Sequence, residues 1–220
     1  MAPSLIVFDL DGTLIDSAPD LAAAINAMLA DLGGAPLPVS EVRRMIGDGV
    51  AMLVTRALAA RHCGHADPAE ASRIFMRHYE ADATSRTSCF PGAAEALRVL
   101  RAAGLPLAVC TNKPARVTTT ILTSLGLAQY FARVIGGDSL PFRKPDPRVL
   151  LALAEGFAVR PDRTLLVGDS EVDAATAHAA GVPFVLMKHG YRRGPLEEIP
   201  CIAALDEFAE LPALVGEPRR

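Results

Sequence analysis

The chain reads Leu5-Ile6-Val7-Phe8-Asp9-Leu10-Asp11-Gly12-Thr13-Leu14 near its start, where an apolar run passes directly into an acidic segment. The run Leu5–Phe8 is too short for a helix and predicts a buried strand. Alternate side chains of an extended segment point to the same side, so Asp9 and Asp11 should face one pocket. Gly12 lets the backbone turn closely past whatever binds there. Two such acids could equally cap the helix that follows, so the pair by itself does not identify a site.

Four further short apolar runs predict buried parallel strands, at Leu105–Cys110, Arg133–Ile135, Thr164–Val167 and Pro183–Leu186. Helical patterns lie between the later runs, and glycines that follow these patterns closely are typical of helix C-caps. Alternation of strand and helix predicts an α/β fold, with a doubly wound, Rossmann-like parallel sheet of five strands and helices on both faces.

The stretch from residue 16 to residue 85 interrupts this alternation. Helix-like patterns follow one another there without a convincing strand between them, at 18–31, 39–46, 50–61 and 68–79. We interpret residues 16–85 as an inserted small α-helical cap domain, and residues 1–15 with 86–220 as the α/β core domain. Hinge-like connections are expected at Leu14–Ala18 and in the polar stretch Thr84–Ser88.

Composition narrows the class of protein. The 220 residues are half hydrophobic with a net charge of −3 and a mean hydropathy of +0.27, which does not fit disorder, collagen or coiled coil. No apolar run approaches the roughly 18 residues of a membrane-spanning helix, and no Lys/Arg stripe indicates a nucleic-acid partner. The start lacks the features of a signal peptide, and four scattered cysteines favour reduced thiols. We expect a cytoplasmic protein without membrane or nucleic-acid partners, whose oligomeric state the sequence leaves open.

Polar residues also follow three of the later predicted strands, and ligands of open α/β sheets bind beyond the carboxyl ends of the strands. Thr111-Asn112-Lys113 offers a hydroxyl, an amide and backbone N–H groups to phosphate oxygens. Lys144 precedes a proline-started helix, and Gly168-Asp169-Ser170-Glu171-Val172-Asp173 supplies more acids. The whole set suits phosphoryl chemistry, because carboxylates are the ligands that Mg²⁺ prefers and the hydroxyl and ammonium can hold phosphate oxygens.

The ordered motifs D-x-D-G-T, T-N, K-P and G-D-S-x-x-D resemble those of the haloacid dehalogenase superfamily of phosphatases over nearly the whole chain. Three segments resemble its phosphoglycolate phosphatase group, namely 8–17, the cap segment Ile46-Gly47-Asp48-Gly49, and 110–114. The resemblance implies a phosphatase for a small phosphorylated metabolite, with 2-phosphoglycolate as the first candidate. Pyrophosphatases, sugar- or amino-sugar-phosphate phosphatases and β-phosphoglucomutase-like phosphotransferases resemble the same pattern and stay open as alternatives.

The same resemblance implies roles for the core residues. Asp9 is the nucleophile that forms an aspartyl-phosphate, and Asp11 is the general acid and base. Mg²⁺ binds Asp9, the backbone carbonyl of Asp11, and Asp169. Thr111 and Lys144 stabilise the charge on the transferred phosphoryl group.

Two assignments stay open at this point. Asp173 either reaches the metal through water or pairs with Lys144. The cap should select the substrate, since the core motifs bind only phosphate, and its glycine-rich loop is the best candidate to close over the site. Arg56 is either a partner for a substrate carboxylate or a solvated surface charge. The predicted substrate-binding residues are Gly12, Asn112, Gly47, Asp48, Gly49 and Arg56.

Overall fold

The computed structural model describes residues 3–63 and 66–216. Its strands are β1 (Leu5–Phe8), β2 (Ile15–Asp16), β3 (Ser88–Cys89), β4 (Leu107–Cys110), β5 (Arg133–Ile135), β6 (Thr164–Gly168), β7 (Phe184–Met187) and β8 (Ala203–Leu205). Its α-helices are α1 (Ala18–Asp31), α2 (Val39–Arg43), α3 (Val50–Ala60), α4 (Pro68–Ala81), α5 (Ala93–Ala102), α6 (Ala115–Ser124), α7 (Arg148–Gly156), α8 (Glu171–Ala180) and α9 (Glu210–Val215). Short 3-10 turns occur at Ala128–Tyr130, Pro161–Arg163 and Leu196–Glu198.

The main sheet is parallel, and within the described ranges its strand order is β5-β4-β1-β6-β7-β8. Alternate residues of β1 face opposite sides: Ile6 and Phe8 pack with α5 and α6, whereas Leu5 and Val7 pack with α7 and α8. Because helices cover both faces of the sheet, every residue of β1 is apolar. The α/β fold with a doubly wound parallel sheet is therefore confirmed.

Strand β1 lies at the point where the order of the sheet reverses. The chain adds β4 and β5 on one side of β1, and then β6, β7 and β8 on the other side. Loops after neighbouring strands diverge at such a switch point and leave a crevice at their carboxyl ends. Asp9, the first residue after β1, therefore lies at the crevice.

The sheet differs from the prediction at one edge. It contains a sixth strand, β8, whose three residues pair with β7 from Val185↔Ala203 to Met187↔Leu205. Two of these three residues are half-buried alanines, so the segment has neither the length nor the β-branched or aromatic residues that are typical of a strand. The helix expected over 39–46 ends at Arg43, and Ile46–Gly49 forms a loop.

The structure places α1–α4 between β2 and β3, and residues 16–85 are called the helical insert below. Helix α1 packs along α4, which also contacts α3, and the aromatic side chains Phe75 and Tyr79 are fully buried. The two connections of the insert pair with each other as an antiparallel ribbon, Ile15 with Cys89 and Asp16 with Ser88. The division of the chain into a core and a cap domain stays a prediction. None of the helices that the structure describes is long and apolar enough to cross a membrane.

Candidate active site

The end of β1 positions the first acid. The backbone N–H of Asp9 donates to the carbonyl of Val167 on β6 at 2.9 Å, which extends the sheet pairing by one residue. The chain then turns, with the N–H of Gly12 donating to the carbonyl of Ile15. Gly12 has a φ of +86°, and a Cβ at this position would lie 2.4 Å from an oxygen of Asp169. Glycine is required there for both conformation and space.

Lys144 neutralises two of the acids from the loop that follows β5. Its Nζ lies 2.8 Å from Oδ1 of Asp9 and 2.6 Å from Oδ1 of Asp173, and the Lys144 side chain is only 2% exposed. Burial alone would lower the pKa of Lys144, but the Asp173 and Asp9 carboxylates raise it above its usual value. The side chain is therefore a permanent cation between two carboxylates.

The loop after β6 supplies the remaining carboxylates. Asp169 accepts hydrogen bonds from the Thr13 hydroxyl at 2.7 Å and from the backbone N–H of Tyr191 at 2.6 Å. Asp173 forms a capping box with Ser170 at the start of α8, so its second oxygen is held by the helix N-terminus. These contacts fix both side chains before any ligand binds.

Asp9, Asp169 and Asp173 form a cluster in which one oxygen of each carboxylate lies within 4.8 Å of the others. Burial raises the pKa of Asp9 to about 7, against the opposing effect of Lys144. Burial also raises the pKa of Asp169 well above its usual range, and the neighbouring carboxylates add to this effect. Three buried carboxylates with a single ammonium carry excess negative charge, which is costly unless a cation joins them. Their hard oxygen donors fit a divalent cation such as Mg²⁺.

Asp11 faces a second buried lysine. Oδ1 of Asp11 lies 2.8 Å from Nζ of Lys113 and accepts a hydrogen bond from the Ser17 hydroxyl at 2.5 Å. Lys113 also donates to the hydroxyl of Tyr79 on α4 at 2.7 Å. Neither Lys113 nor Tyr79 is among the predicted site residues. Lys113 directly follows the predicted Thr111 and Asn112, whereas Tyr79 has no sequence signal beyond an apolar helix face.

A cavity of about 450 Å³ separates the end of the sheet from the helical insert. Its sheet side is lined by Asp9, Asp11, Thr111, Asn112, Lys113 and Pro114. Its insert side is lined by Leu21, Ile46, Gly47, Gly49, Val50, Leu53 and Tyr79. Half of the predicted site residues therefore line this one cavity, with polar groups on one wall and mainly apolar groups on the other.

The loop between α2 and α3 contacts the sheet side directly. The Asn112 amide donates to the carbonyl of Gly47 at 3.0 Å and to that of Lys144 at 2.9 Å, so it joins the insert loop to the Lys144 loop. Gly47 and Gly49 have φ values of +122° and +88°, which other residues adopt only with strain. This loop therefore contacts a residue that follows β4, and its closure over the site stays a prediction.

Three predicted substrate-binding residues, Gly12, Asp48 and Arg56, are not among the described residues that line the cavity. Asp48 Oδ2 pairs with Arg56 Nη2 at 2.5 Å and with Arg193 Nη1 at 2.8 Å. Burial would raise the pKa of Asp48, but the two guanidinium groups lower it below its usual value. Arg56 also donates to the carbonyl of Met45 at 2.8 Å. Both side chains are engaged with each other, so the role of Arg56 in substrate binding stays a prediction.

Comparison with known proteins agrees with this geometry. Residues 3–181 match the family model of the haloacid dehalogenase-like hydrolases. The chain is 50% identical over 214 residues to a phosphoglycolate phosphatase of Cereibacter sphaeroides, with 96% of each chain covered. It is 44% identical to a phosphoglycolate phosphatase of Rhodospirillum rubrum, over 99% of this chain and 92% of the relative. A crystal structure of a predicted phosphoglycolate phosphatase from Haemophilus somnus superposes with a TM-score of 0.92 and 34% identity, over 97% of this chain and 98% of that one. The chain therefore belongs to the haloacid dehalogenase-like hydrolase family, in which it is a phosphatase.

Proposed function

We propose that the protein is a Mg²⁺-dependent phosphomonoesterase that hydrolyses 2-phosphoglycolate through an aspartyl-phosphate on Asp9. The observation that carries the proposal is the cluster of Asp9, Asp169 and Asp173 around Lys144, in which Asp9 lines the cavity. The names of the relatives support the choice of substrate.

Asp9 acts as the nucleophile. One oxygen of its carboxylate attacks phosphorus, a new O–P bond forms, and the bond from phosphorus to the leaving oxygen breaks with its electron pair on that oxygen. Lys144 lies 2.8 Å from Asp9 Oδ1, where it favours the ionised carboxylate and orients it. Thr111 is buried and lines the same cavity as Asp9, and its hydroxyl donates to a phosphoryl oxygen in the transition state.

Asp9, Asp169 and the backbone carbonyl of Asp11 would hold Mg²⁺. When bound, the ion supplies positive charge that keeps Asp9 ionised and offsets the charge on the phosphoryl oxygens. For Asp173, the 2.6 Å contact with Lys144 favours the second alternative, an ion pair that positions the lysine.

Asp11 transfers the protons. Its Oδ1 is occupied by Lys113 and Ser17, whereas Oδ2 has no hydrogen-bond partner within residues 3–63 and 66–216. Oδ2 gives a proton to the leaving alkoxide in the first step. It takes a proton from the water that attacks the aspartyl-phosphate in the second step, which releases inorganic phosphate and restores Asp9.

The helical insert acts as a cap that selects the leaving group. Gly47 in its loop accepts a hydrogen bond from Asn112, and Tyr79 accepts one from Lys113, so the cavity is bounded by both parts of the chain. The cavity opens to solvent between the sheet side and the helical insert, where a small phosphorylated metabolite can enter. The cytoplasmic location stays a prediction.

Phosphate release with Mg²⁺ and with EDTA tests the proposal, using 2-phosphoglycolate, pyrophosphate, N-acetylmuramate 6-phosphate, glucose 1-phosphate and an aryl phosphate. We expect metal-dependent release that is fastest with 2-phosphoglycolate. A preference for another substrate contradicts the substrate but keeps the core chemistry. Isomerisation of a sugar phosphate that requires a sugar bisphosphate indicates a phosphotransferase, and no release from any substrate contradicts the enzyme function.

A further inference from the structure

We propose that Lys113 and Tyr79 together form a carboxylate-binding subsite for the leaving group, one residue from the sheet side and one from the helical insert. This inference rests on the proposed phosphatase function and assigns its specificity to two residues. It requires a substrate in which a carboxylate lies one carbon atom from the ester oxygen.

Position 113 carries a lysine, although most of the cationic residues of this chain are arginines. Of its 22 cationic residues only three are lysines, at positions 113, 144 and 188. Lys144 is occupied by Asp9 and Asp173, and Lys188 pairs with Asp206 on the surface. Lys113 is the one cation among the described residues that line the cavity, and its side chain is 3% exposed.

The hydrogen bonds of this pair leave two donors for a ligand. An ammonium group has three N–H donors, and Lys113 uses one on Asp11 and one on the Tyr79 hydroxyl. The Tyr79 oxygen accepts from Lys113, while its own O–H has no acceptor in the part of the chain that the structure describes. Burial raises the pKa of Tyr79 to about 12, so the hydroxyl stays protonated. Two donors at neighbouring positions match the two oxygens of a carboxylate.

The positions of the groups match a short α-oxy acid. Asp11 must contact the leaving oxygen to protonate it, and Lys113 lies 2.8 Å from the same Asp11 side chain. A carboxylate separated from that oxygen by a single carbon therefore reaches Lys113 while the oxygen reaches Asp11. Other cavity residues on the insert side, such as Leu21, Val50 and Leu53, are apolar and offer nothing to the several hydroxyls of a sugar phosphate.

The start of α3 adds a favourable field for an anion. Its N-cap residue is Gly49, which has no side chain to bond the first N–H groups of the helix. Gly49 and Val50 both line the cavity. The N–H groups of the first helical turn carry partial positive charge. The start of α3 therefore borders the same cavity as Lys113 and Tyr79, where its partial positive charge favours an anion.

The experiment compares 2-phosphoglycolate with 2-hydroxyethyl phosphate, in which a hydroxymethyl group replaces the carboxylate. We expect Lys113→Met to lower kcat/KM for 2-phosphoglycolate at least about 30-fold more than for 2-hydroxyethyl phosphate, because a charge-assisted bond is lost only with the first substrate. Tyr79→Phe should change the same ratio by about 3- to 10-fold. Lys188→Met, the matched surface control, should leave the ratio unchanged.

Equilibrium binding measures recognition of the substrate carboxylate separately from the steps of hydrolysis. In an Asp9→Asn background, calorimetry should show that Lys113→Met weakens binding of 2-phosphoglycolate at least about 30-fold and of inorganic phosphate less than about 3-fold. Equal losses for both ligands would mean that Lys113 acts only through Asp11, which overturns the subsite and leaves the phosphatase function intact. If Lys113→Met does not fold, the Tyr79→Phe ratio decides, and an unchanged ratio overturns the subsite. A wild-type protein that hydrolyses both esters equally well contradicts the substrate and the subsite together.

Discussion

Asp9 shares the ammonium of Lys144 with Asp173, so a neutral side chain at position 9 changes the chemistry with little change of shape. We expect Asp9→Asn to fold normally and to lose at least about 10³-fold in kcat, because an amide cannot form the aspartyl-phosphate. Steady-state phosphate release and circular dichroism measure the two effects. Retention of activity within tenfold of the parent would refute the nucleophile assignment.

Replacement of Lys144 should differ from that of Asp9, because we expect it to lower both activity and stability. Lys144→Ala should lower kcat by about 10²-fold or more, since one donor to the phosphoryl group is removed. It should also lower the free energy of unfolding by about 3–5 kcal/mol, since buried Asp9 and Asp173 lose their counter-charge. Denaturant titration in EDTA, with Lys188→Ala as the control, measures the stability. An activity close to that of the control would show that Lys144 does not contact the transferred group.

The sequence predicts the site residues that directly follow strands. It does not predict residues that join the site only through a side-chain contact between distant elements. Asp9, Thr111 and Asp169 each come directly after a buried strand, so the parallel sheet alone predicts that they converge. Tyr79 reaches Lys113 across 34 positions of the chain, and the only pattern around it is a buried helix face. Such a contact depends on how the insert packs on the sheet, which no local spacing encodes.

At the scale of elements, the ribbon that connects the insert to the sheet is held by one tyrosine. The Tyr191 hydroxyl donates to Asp16 at 2.5 Å and accepts from the backbone N–H groups of Ser17 and Ala18 at 2.9 and 3.1 Å. The backbone N–H of Tyr191 donates to Asp169. Tyr191 therefore links the start of the insert to the acidic cluster.

Removal of this hydroxyl tests the link. Tyr191→Phe leaves the Ser17 N–H without its partner, whereas the Ala18 N–H keeps its bond to Asp16, and Asp16 keeps Arg43. We expect the free energy of unfolding to fall by about 1–3 kcal/mol. Urea unfolding monitored by circular dichroism measures it. Tyr130→Phe is the matched control, because the Tyr130 side chain makes no hydrogen bond to the described part of the chain. Equal stabilities of the two variants would show that the hydroxyl contacts contribute nothing.

Elements differ in how far their sequence predicts them. Strands β1, β4 and β6 are buried on both faces, so their sequences are short apolar runs. These runs are enough to predict the sheet. The edge strand β8 is half-exposed, and the two-residue strands β2 and β3 exist only because they pair with each other. Where tertiary pairing rather than burial defines an element, the local pattern is too weak to show it.

At the scale of the whole molecule, the acidic cluster makes stability depend on pH and on metal. Burial raises the pKa of Asp9 from 3.8 to about 7, so the folded protein binds more protons than the unfolded chain between these pH values. The free energy of unfolding of the metal-free protein therefore contains a contribution that is present below about pH 4 and is lost as the pH rises through about 7. Ionised carboxylates at this site then repel one another without a counter-ion.

Mg²⁺ should restore this loss, because it binds the ionised form of the cluster and not the unfolded chain. We expect the rise in Tm on replacing EDTA by Mg²⁺ to be several degrees larger at pH 7.5 than at pH 5. Differential scanning calorimetry across this range measures it, with Asp9→Asn as the control whose residue 9 cannot titrate. Asp9→Asn should show a weaker dependence of the metal effect on pH. An equal rise in Tm at both pH values, in the parent protein, would mean that Asp9 is already ionised at pH 5 and that metal binding does not depend on its deprotonation.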